Sequence, residues 1–222
     1  MSAWAIVLAC GKEQEIAPGV DVAFLALGSR PVLAHSLQTL EQNSLIDGVV
    51  LVVKKERVDS ALRMIRQFGC RKVAALVAGG VQRQANLKKA YEQVPEDVSA
   101  VLVHESSRPF VNDGVITEVV KAGKRYGAAV AAVKSADPVK LAKGQKLTKT
   151  LDRSTIWLAQ SPQVFKRDVF EKVLKGTAKL VDDESALLEK TRQTIHLVVS
   201  SSANMKIRTA EDLEAAGALA GS

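Results

Sequence analysis

The sequence predicts an α/β protein with a mostly parallel sheet, helices on both faces and one projecting β-hairpin. Short apolar runs recur along the chain with amphipathic stretches between them, the rhythm of strands joined by crossover helices. The runs are almost wholly apolar rather than alternating, as strands covered on both faces are. One stretch breaks the rhythm by alternating apolar and basic residues around a glycine. The 222 residues suit a single domain spanning 1–222.

The first run, Ala5–Ala9, is strand-length and lacks a basic segment before it, so it reads as the first buried strand rather than a leader. Leu33, Leu37 and Leu40 recur at helical spacing after Pro31, a residue favoured at helix starts. Strands are expected at Val49–Val53, Val73–Val77, Ala100–Val103, Ala128–Val133 and Leu197–Ser200. Val115, Ile116, Val119 and Val120 form a second helical stripe. Thr209–Ala220 closes the chain as a helix, with Thr209 as N-cap and Asp212 three residues on. Residues 138–151 read as a hairpin turning at Lys143-Gly144-Gln145. It carries Lys140, Lys143, Lys146 and Lys149 with no acid among them, so it should project and meet a partner surface.

Composition narrows the function. Hydrophobic residues make up 47% and charged residues 25%, an ordinary globular balance with a sizeable core. No apolar run reaches the roughly 18–20 residues of a membrane helix, so no membrane partner is expected. The net charge of +7 suits anionic small molecules, while 4% aromatic residues leave few stacking platforms for nucleic acid. Phosphorylated metabolites fit best, and nucleic acid is not an expected partner. Two cysteines without metal-ligand spacing, Cys10 and Cys70, fit a reducing, cytoplasmic setting.

Ligands of open α/β sheets bind at the carboxyl ends of the strands, which directs attention to the loops there. Ala9-Cys10-Gly11 follows the first strand, and Gly11 lets backbone N–H groups approach a phosphate. Gly79-Gly80 opens a helix with Arg83 in its first turn and Asn86 three residues on, an arrangement that favours an anion or a polar base edge. His104-Glu105-Ser106-Ser107-Arg108 follows a buried strand. There Glu105 is a candidate magnesium ligand, Arg108 its partner or a phosphate ligand, and His104 a hydrogen-bonded core residue. The acidic run Asp182-Asp183-Glu184 reads as a helix cap.

Taken in order, these pieces resemble the 2-C-methyl-D-erythritol 4-phosphate cytidylyltransferase family from Ala5 to about Ala216. The matching motifs are GG-x-x-R at Gly79–Arg83, VH-x-x-x-RP at Val103–Pro109, T-x-DR at Thr150–Arg153, W-x-x-Q-x-PQ-x-F at Trp157–Phe165, and N-x-K-I…DL at Asn204–Leu213. The resemblance implies a Rossmann-like three-layer α/β/α fold. It also implies a homodimer in which a β-arm, about 134–160 here, completes the neighbour's site. The implied reaction transfers CMP from CTP to the polyol phosphate with Mg²⁺ or another divalent cation, in isoprenoid precursor synthesis. Carried over by position, Ala9, Cys10, Gly11, Gly79, Gly80, Arg83 and Asn86 line the nucleotide. Glu105, Arg108, Arg153 and Lys206 meet the substrate, with Glu105 at the metal and Arg153 and Lys206 in catalysis; Lys12, the cation remaining in the first loop, is the further catalytic candidate.

The first loop departs from the family. Where the family reads AAG-x-G-x-R-M and then PKQ, this chain has ACGKEQEI and then Asp21-Val22-Ala23. Glu15 replaces the family's catalytic arginine, Val22 its catalytic lysine and Glu13 its second glycine. Lys12 is left as the loop's cation against Glu13, Glu15 and Asp21. The loop therefore predicts weak turnover, raised by Glu15→Arg with Val22→Lys. The alternative it leaves open is a non-catalytic or altered-substrate member that keeps the dimer and the anion site.

Overall fold

The computed structural model describes residues 3–11, 14–175, 184–189 and 191–221. Its centre is a seven-stranded sheet of β1 (Ala3–Ala9), β6 (Ile46–Lys54), β7 (Val73–Gly79), β8 (Ala100–Glu105), β9 (Ala128–Lys134), β12 (Trp157–Lys166) and β13 (Ile195–Val199), ordered β13-β9-β12-β8-β1-β6-β7. β1 lies parallel to β6 and β8, so the chain switches direction across the sheet at β1.

Each inner strand serves two cores. Ala5, Val7 and Ala9 point to one side with Leu51, Val53 and Leu102, where α1 (Val32–Gln42), α2 (Val58–Gln67) and α4 (Asp113–Tyr126) cover them. Ile6, Leu8 and Cys10 point to the other with Val50, Val52 and Val103, under α3 (Arg83–Tyr91) and α5 (Arg167–Lys175). The pleat thus sends alternate residues of one apolar run into different layers, which is why these strands show no polar alternation. That pattern fails at the sheet edges: in β13, Leu197 is 40% and Val199 is 73% exposed, so the expectation of cover on both faces does not hold there.

The helices end where the sequence signals it. Asn112 accepts a hydrogen bond from the Val115 backbone N–H at the start of α4, and Gly127 ends it at φ 96°. Thr209 and Asp212 form a reciprocal capping box at the start of α6 (Ala210–Ala220). The hairpin also forms as expected, as β10 (Lys140–Lys143) and β11 (Lys146–Thr150), both exposed throughout. Gly144 has a φ of 59° at the first turn position, which suits a tight two-residue hairpin turn.

Two features went unread in the sequence. Residues 15–31 contain two small hairpins, β2 (Glu15–Ala17) with β3 (Val20–Asp21) and β4 (Ala26–Leu27) with β5 (Arg30–Pro31). β12, inserted antiparallel between β9 and β8, was hidden by Pro162, which argues against a central strand. The structure reconciles the two. The β9 ladder is interrupted between Ala159 and Gln163, and Pro162 sits in that irregularity. Among the described residues, no helix is long and apolar enough to cross a membrane.

Candidate active site

A cleft of about 460 Å³ opens at the carboxyl ends of β1 and β8, lined by Arg83, Glu105, Arg108, Lys206 and Arg208, with Glu15 and the interrupted part of β12. Gln160, Ser161 and Gln163, at the ladder irregularity, form part of its wall.

Glu105, the last residue of β8, is the organising group. It is 5% exposed and touches three cations: Oε1 accepts from Arg83 Nη1 at 3.2 Å and Lys206 Nζ at 2.8 Å, and Oε2 from Arg108 Nε at 3.2 Å. Burial works to raise its pKa, but the charges of Arg83, Lys206 and Arg108 prevail and hold it at about 2. Arg83 also grips Glu184, donating from Nε at 2.6 Å and from Nη2 at 3.0 Å, a two-point pair. Thus Glu184, read from sequence as a helix cap, holds a side chain of the site, while Asp182 and Asp183 lie outside the described residues. The guanidinium of Arg108 donates from Nη1 to the Asn204 carbonyl at 2.9 Å, which ties the segment carrying Lys206 to the β8 loop.

The neighbouring polar groups set this geometry. The Glu105 N–H donates to Ser161 Oγ at 3.0 Å, and Ser161 Oγ lies 3.1 Å from His104 Nδ1. His104 is 1% exposed, and its Nε2 lies 3.2 Å from the Arg108 carbonyl. Burial pushes its pKa down to about 4, so it is a neutral core residue, as its position in the sequence suggested. Asn204 donates to Gln160 Oε1 and the Ser161 carbonyl, each at 2.9 Å.

The nucleotide-loop residues divide into a surface and a support. Gly79 packs so closely on the first loop that an added Cβ would lie 2.5 Å from Cys10 Sγ and 2.7 Å from Val52 Cγ1. Gly11, at φ 104°, turns the chain at the end of β1. Asn86 is turned inward instead of lining the cleft. Its Oδ1 accepts from the Gly80 N–H at 2.8 Å, and its Nδ2 donates to the Gly80 carbonyl at 2.8 Å and to Cys10 Sγ at 3.1 Å. Ala9 and Cys10 are likewise buried behind the rim, and burial pushes the Cys10 thiol up to about 11.

The first loop corrects the charge balance expected from sequence. Lys12 and Glu13 lie outside the described residues. Lys54, at the carboxyl end of β6 and in register with Gly79, pairs with both Glu15 and Asp21. Arg57 Nε donates to Asp21 Oδ2 at 2.7 Å. The side chain of Asp21 is 2% exposed. Glu15, at the edge of the cleft, and the buried Asp21 are therefore paired from the next strand rather than left as bare charges. Glu15 is held below the usual carboxylate range by the hydrogen bond from Lys54 and then by the Gly19 N–H. Lys54 resists burial and is held above its ordinary value by Asp21 and Glu15. Val22 is fully buried against Leu27, Val32, Ile207 and Ala216 and does not line the cleft. Local pattern did not flag Lys54 because its partners lie more than thirty residues away.

Arg153 does not line this cleft. It sits at the base of the hairpin, where Nη1 donates to the Ala136 carbonyl at 2.9 Å. The described residues do not fit a resident metal ion. Among the described residues no group of three or more His, Cys, Asp or Glu side chains gathers to hold one, and both oxygens of Glu105 face cations.

The sheet order, the switch at β1 and the cationic rim together define an α/β nucleotidyltransferase fold. The family model for 2-C-methyl-D-erythritol 4-phosphate cytidylyltransferase matches residues 3–222, and the chain belongs to that family. It is 32% identical over 211 residues to the 2-C-methyl-D-erythritol 4-phosphate cytidylyltransferase of Lysinibacillus sphaericus, covering 94% of this chain and 91% of the relative. With the protein of the same name from Pelotomaculum thermopropionicum it shares 34% identity over 220 residues, 97% and 92% of the two chains. Among solved structures, 4-diphosphocytidyl-2C-methyl-D-erythritol synthase from Anaerococcus prevotii superimposes with a TM-score of 0.87 at 23% identity, covering 100% of this chain and 96% of that one. The cytidylyltransferase from Thermus thermophilus gives 0.80 at 24% identity, with 100% of both chains covered. At that identity the structural likeness bears on the fold.

Proposed function

We propose that this protein transfers CMP from CTP to 2-C-methyl-D-erythritol 4-phosphate. An oxygen of the sugar phosphate forms a new bond to the α-phosphorus of CTP. The bond from that phosphorus to the bridging oxygen of the β-phosphate breaks, and pyrophosphate leaves with the electron pair. The observation that carries this reading is a full-length family match combined with three cations held around one buried carboxylate at the sheet's switch point.

Such a reaction needs positioning and charge stabilisation more than covalent chemistry. Arg83, Arg108 and Lys206 are fixed by Glu105 and Glu184 before any substrate arrives, so little reorganisation is needed when phosphate charge enters the cleft. In this reading the Gly11 and Gly79–Gly80 backbone, with Arg83, takes the nucleotide, and Lys206 with Arg108 takes the sugar phosphate. A divalent cation is carried in by the triphosphate rather than held by the protein, since Mg²⁺ is commonly bound through substrate phosphates.

The reading includes a homodimer. Leu141, Leu147 and Leu158, on the hairpin and at its base, are 54%, 60% and 50% exposed, an apolar surface among lysines that suits a second copy of the chain. Arg153, remote from its own cleft, would then complete the cleft of the partner subunit. The two free cysteines accord with a reducing cytoplasm.

The test is pyrophosphate release with CTP and 2-C-methyl-D-erythritol 4-phosphate, compared with ATP, GTP and UTP and with CTP alone. Polyol-dependent release with CTP is expected. CTP-dependent thermal stabilisation without pyrophosphate release would overturn the transferase reading.

A further inference from the structure

Among the described residues four cationic side chains line the cleft, and three of them are already engaged by carboxylates. Arg83 is held by Glu184 and Glu105, and Arg108 and Lys206 by Glu105. Arg208 differs. Its side chain is exposed and lines the same cleft, yet no carboxylate among the described residues lies within ion-pair distance of its guanidinium.

The backbone beneath Arg208 is fixed on both sides. Its N–H donates to Asp212 Oδ2 at 2.8 Å, the carboxylate that also closes the capping box of α6 through the Thr209 N–H at 3.0 Å. The preceding residue, Ile207, is fully buried, and its N–H donates to the Ser107 carbonyl at 2.9 Å. A rigid stem therefore presents to the cleft that Arg108 also lines a cation with no carboxylate partner among the described residues. An anion arriving there meets Arg208 without displacing a carboxylate of the described residues.

The position selects the ligand. Residues 204–208 lie against β8 and β12: Asn204 bonds Gln160 and Ser161, and Ile207 bonds Ser107. The Gly79–Gly80 turn and Arg83 belong to the β7–α3 side. Arg208 thus shares with Lys206 a segment tied to β12 and the loop after β8, not to the glycine turn. We propose that Arg208 is a binding residue for the phosphate monoester of the second substrate, selecting a dianionic sugar or polyol phosphate over the uncharged polyol. This rests on the cytidylyl-transfer reading for the identity of that substrate. The chemistry required, a planar guanidinium meeting two phosphate oxygens, is one that arginine supplies and lysine supplies only in part.

Arg208→Met and Arg208→Lys, on the full chain, test it. Loss of a charge-assisted hydrogen bond predicts a KM for the polyol phosphate raised about tenfold or more in Arg208→Met, with the KM for CTP changed less than about twofold. Arg208→Lys should recover part of the loss. A second readout does not need turnover: inorganic phosphate should raise the melting temperature of the wild type and do so less in Arg208→Met. Unchanged KM values for both substrates, or a rise confined to CTP, would overturn the assignment. A phosphate-dependent shift lost in Arg208→Met, in a wild type that releases no pyrophosphate, would leave the anion site standing and remove the transferase reading instead. A shift of equal size in wild type and Arg208→Met would count against the anion site itself.

Discussion

Placing a lysine at position 22, where the resemblance puts the family's catalytic cation, is expected to destabilise this protein rather than improve it. Val22 is fully buried in a cluster with Leu27, Val32, Ile207 and Ala216, beneath the first loop. A lysine confined there loses its hydration. Full burial lowers a lysine pKa by about 3–5 units, and at 1.36 kcal/mol per unit the penalty at neutral pH is about 4–5 kcal/mol, capped there by loss of the proton. Overpacking adds about 1–3 kcal/mol. Against a typical stability of about 5–15 kcal/mol, Val22→Lys should sit near the edge of folding.

The assay is urea denaturation of Val22→Lys beside Val22→Met, which has similar bulk and no charge. The sign of the pH effect is fixed. A lysine whose folded pKa is depressed binds fewer protons in the native state, so its penalty is full below the folded pKa and shrinks as pH rises toward the unfolded value near about 10. The gap between the two variants should therefore narrow from pH 7 to pH 10. Equal midpoints at pH 7 with no pH dependence would show that the lysine escapes the cluster, and the argument from burial would fail. The companion change, Glu15→Arg, would set a second cation against Lys54 and remove one of that lysine's two carboxylates.

Three further outcomes follow from the same geometry. Lys54→Met should lower stability by about 1–3 kcal/mol in urea titrations, because the buried Asp21 keeps only Arg57; Lys54→Arg should recover most of it, and an unchanged Lys54→Met midpoint would argue against the network. Because Glu105 is held at about 2 in the folded protein, its stabilisation is complete above its unfolded pKa and is lost as pH falls through about 2. The midpoint of the wild type should thus fall more steeply than that of Glu105→Gln below about pH 4, and parallel curves would contradict the assignment. Deleting residues 139–150 should yield a folded monomer in sedimentation, and a wild type that is itself monomeric at micromolar concentration would sink the dimer reading.

Much of the scaffold was legible because its signals are local. The apolar runs from Ala5 to Val133, the leucine stripe after Pro31, the Thr209–Asp212 cap and the turn at Gly144 each follow from side chains within a few residues of one another. The order of motifs along the chain likewise pointed to the family and to Arg83, Glu105, Arg108 and Lys206, which line the cleft. What tertiary structure decided was who meets whom across long separations. Glu15 and Asp21 appear in sequence as acids facing a phosphate, but Lys54 and Arg57 reach them from the end of β6. Asn86 appears as a nucleotide ligand, but the closeness of Gly79 to Cys10 turns it inward to brace the loop. Pro162 appears to forbid a central strand, but an irregularity in the ladder accommodates it, and Gln160 and Gln163 there line the cleft. Residue type and spacing determine which elements form and which ends they present. Whether a charge at such an end is available to a ligand depends on its spatial neighbours, and those are set only when the strands are ordered in the sheet.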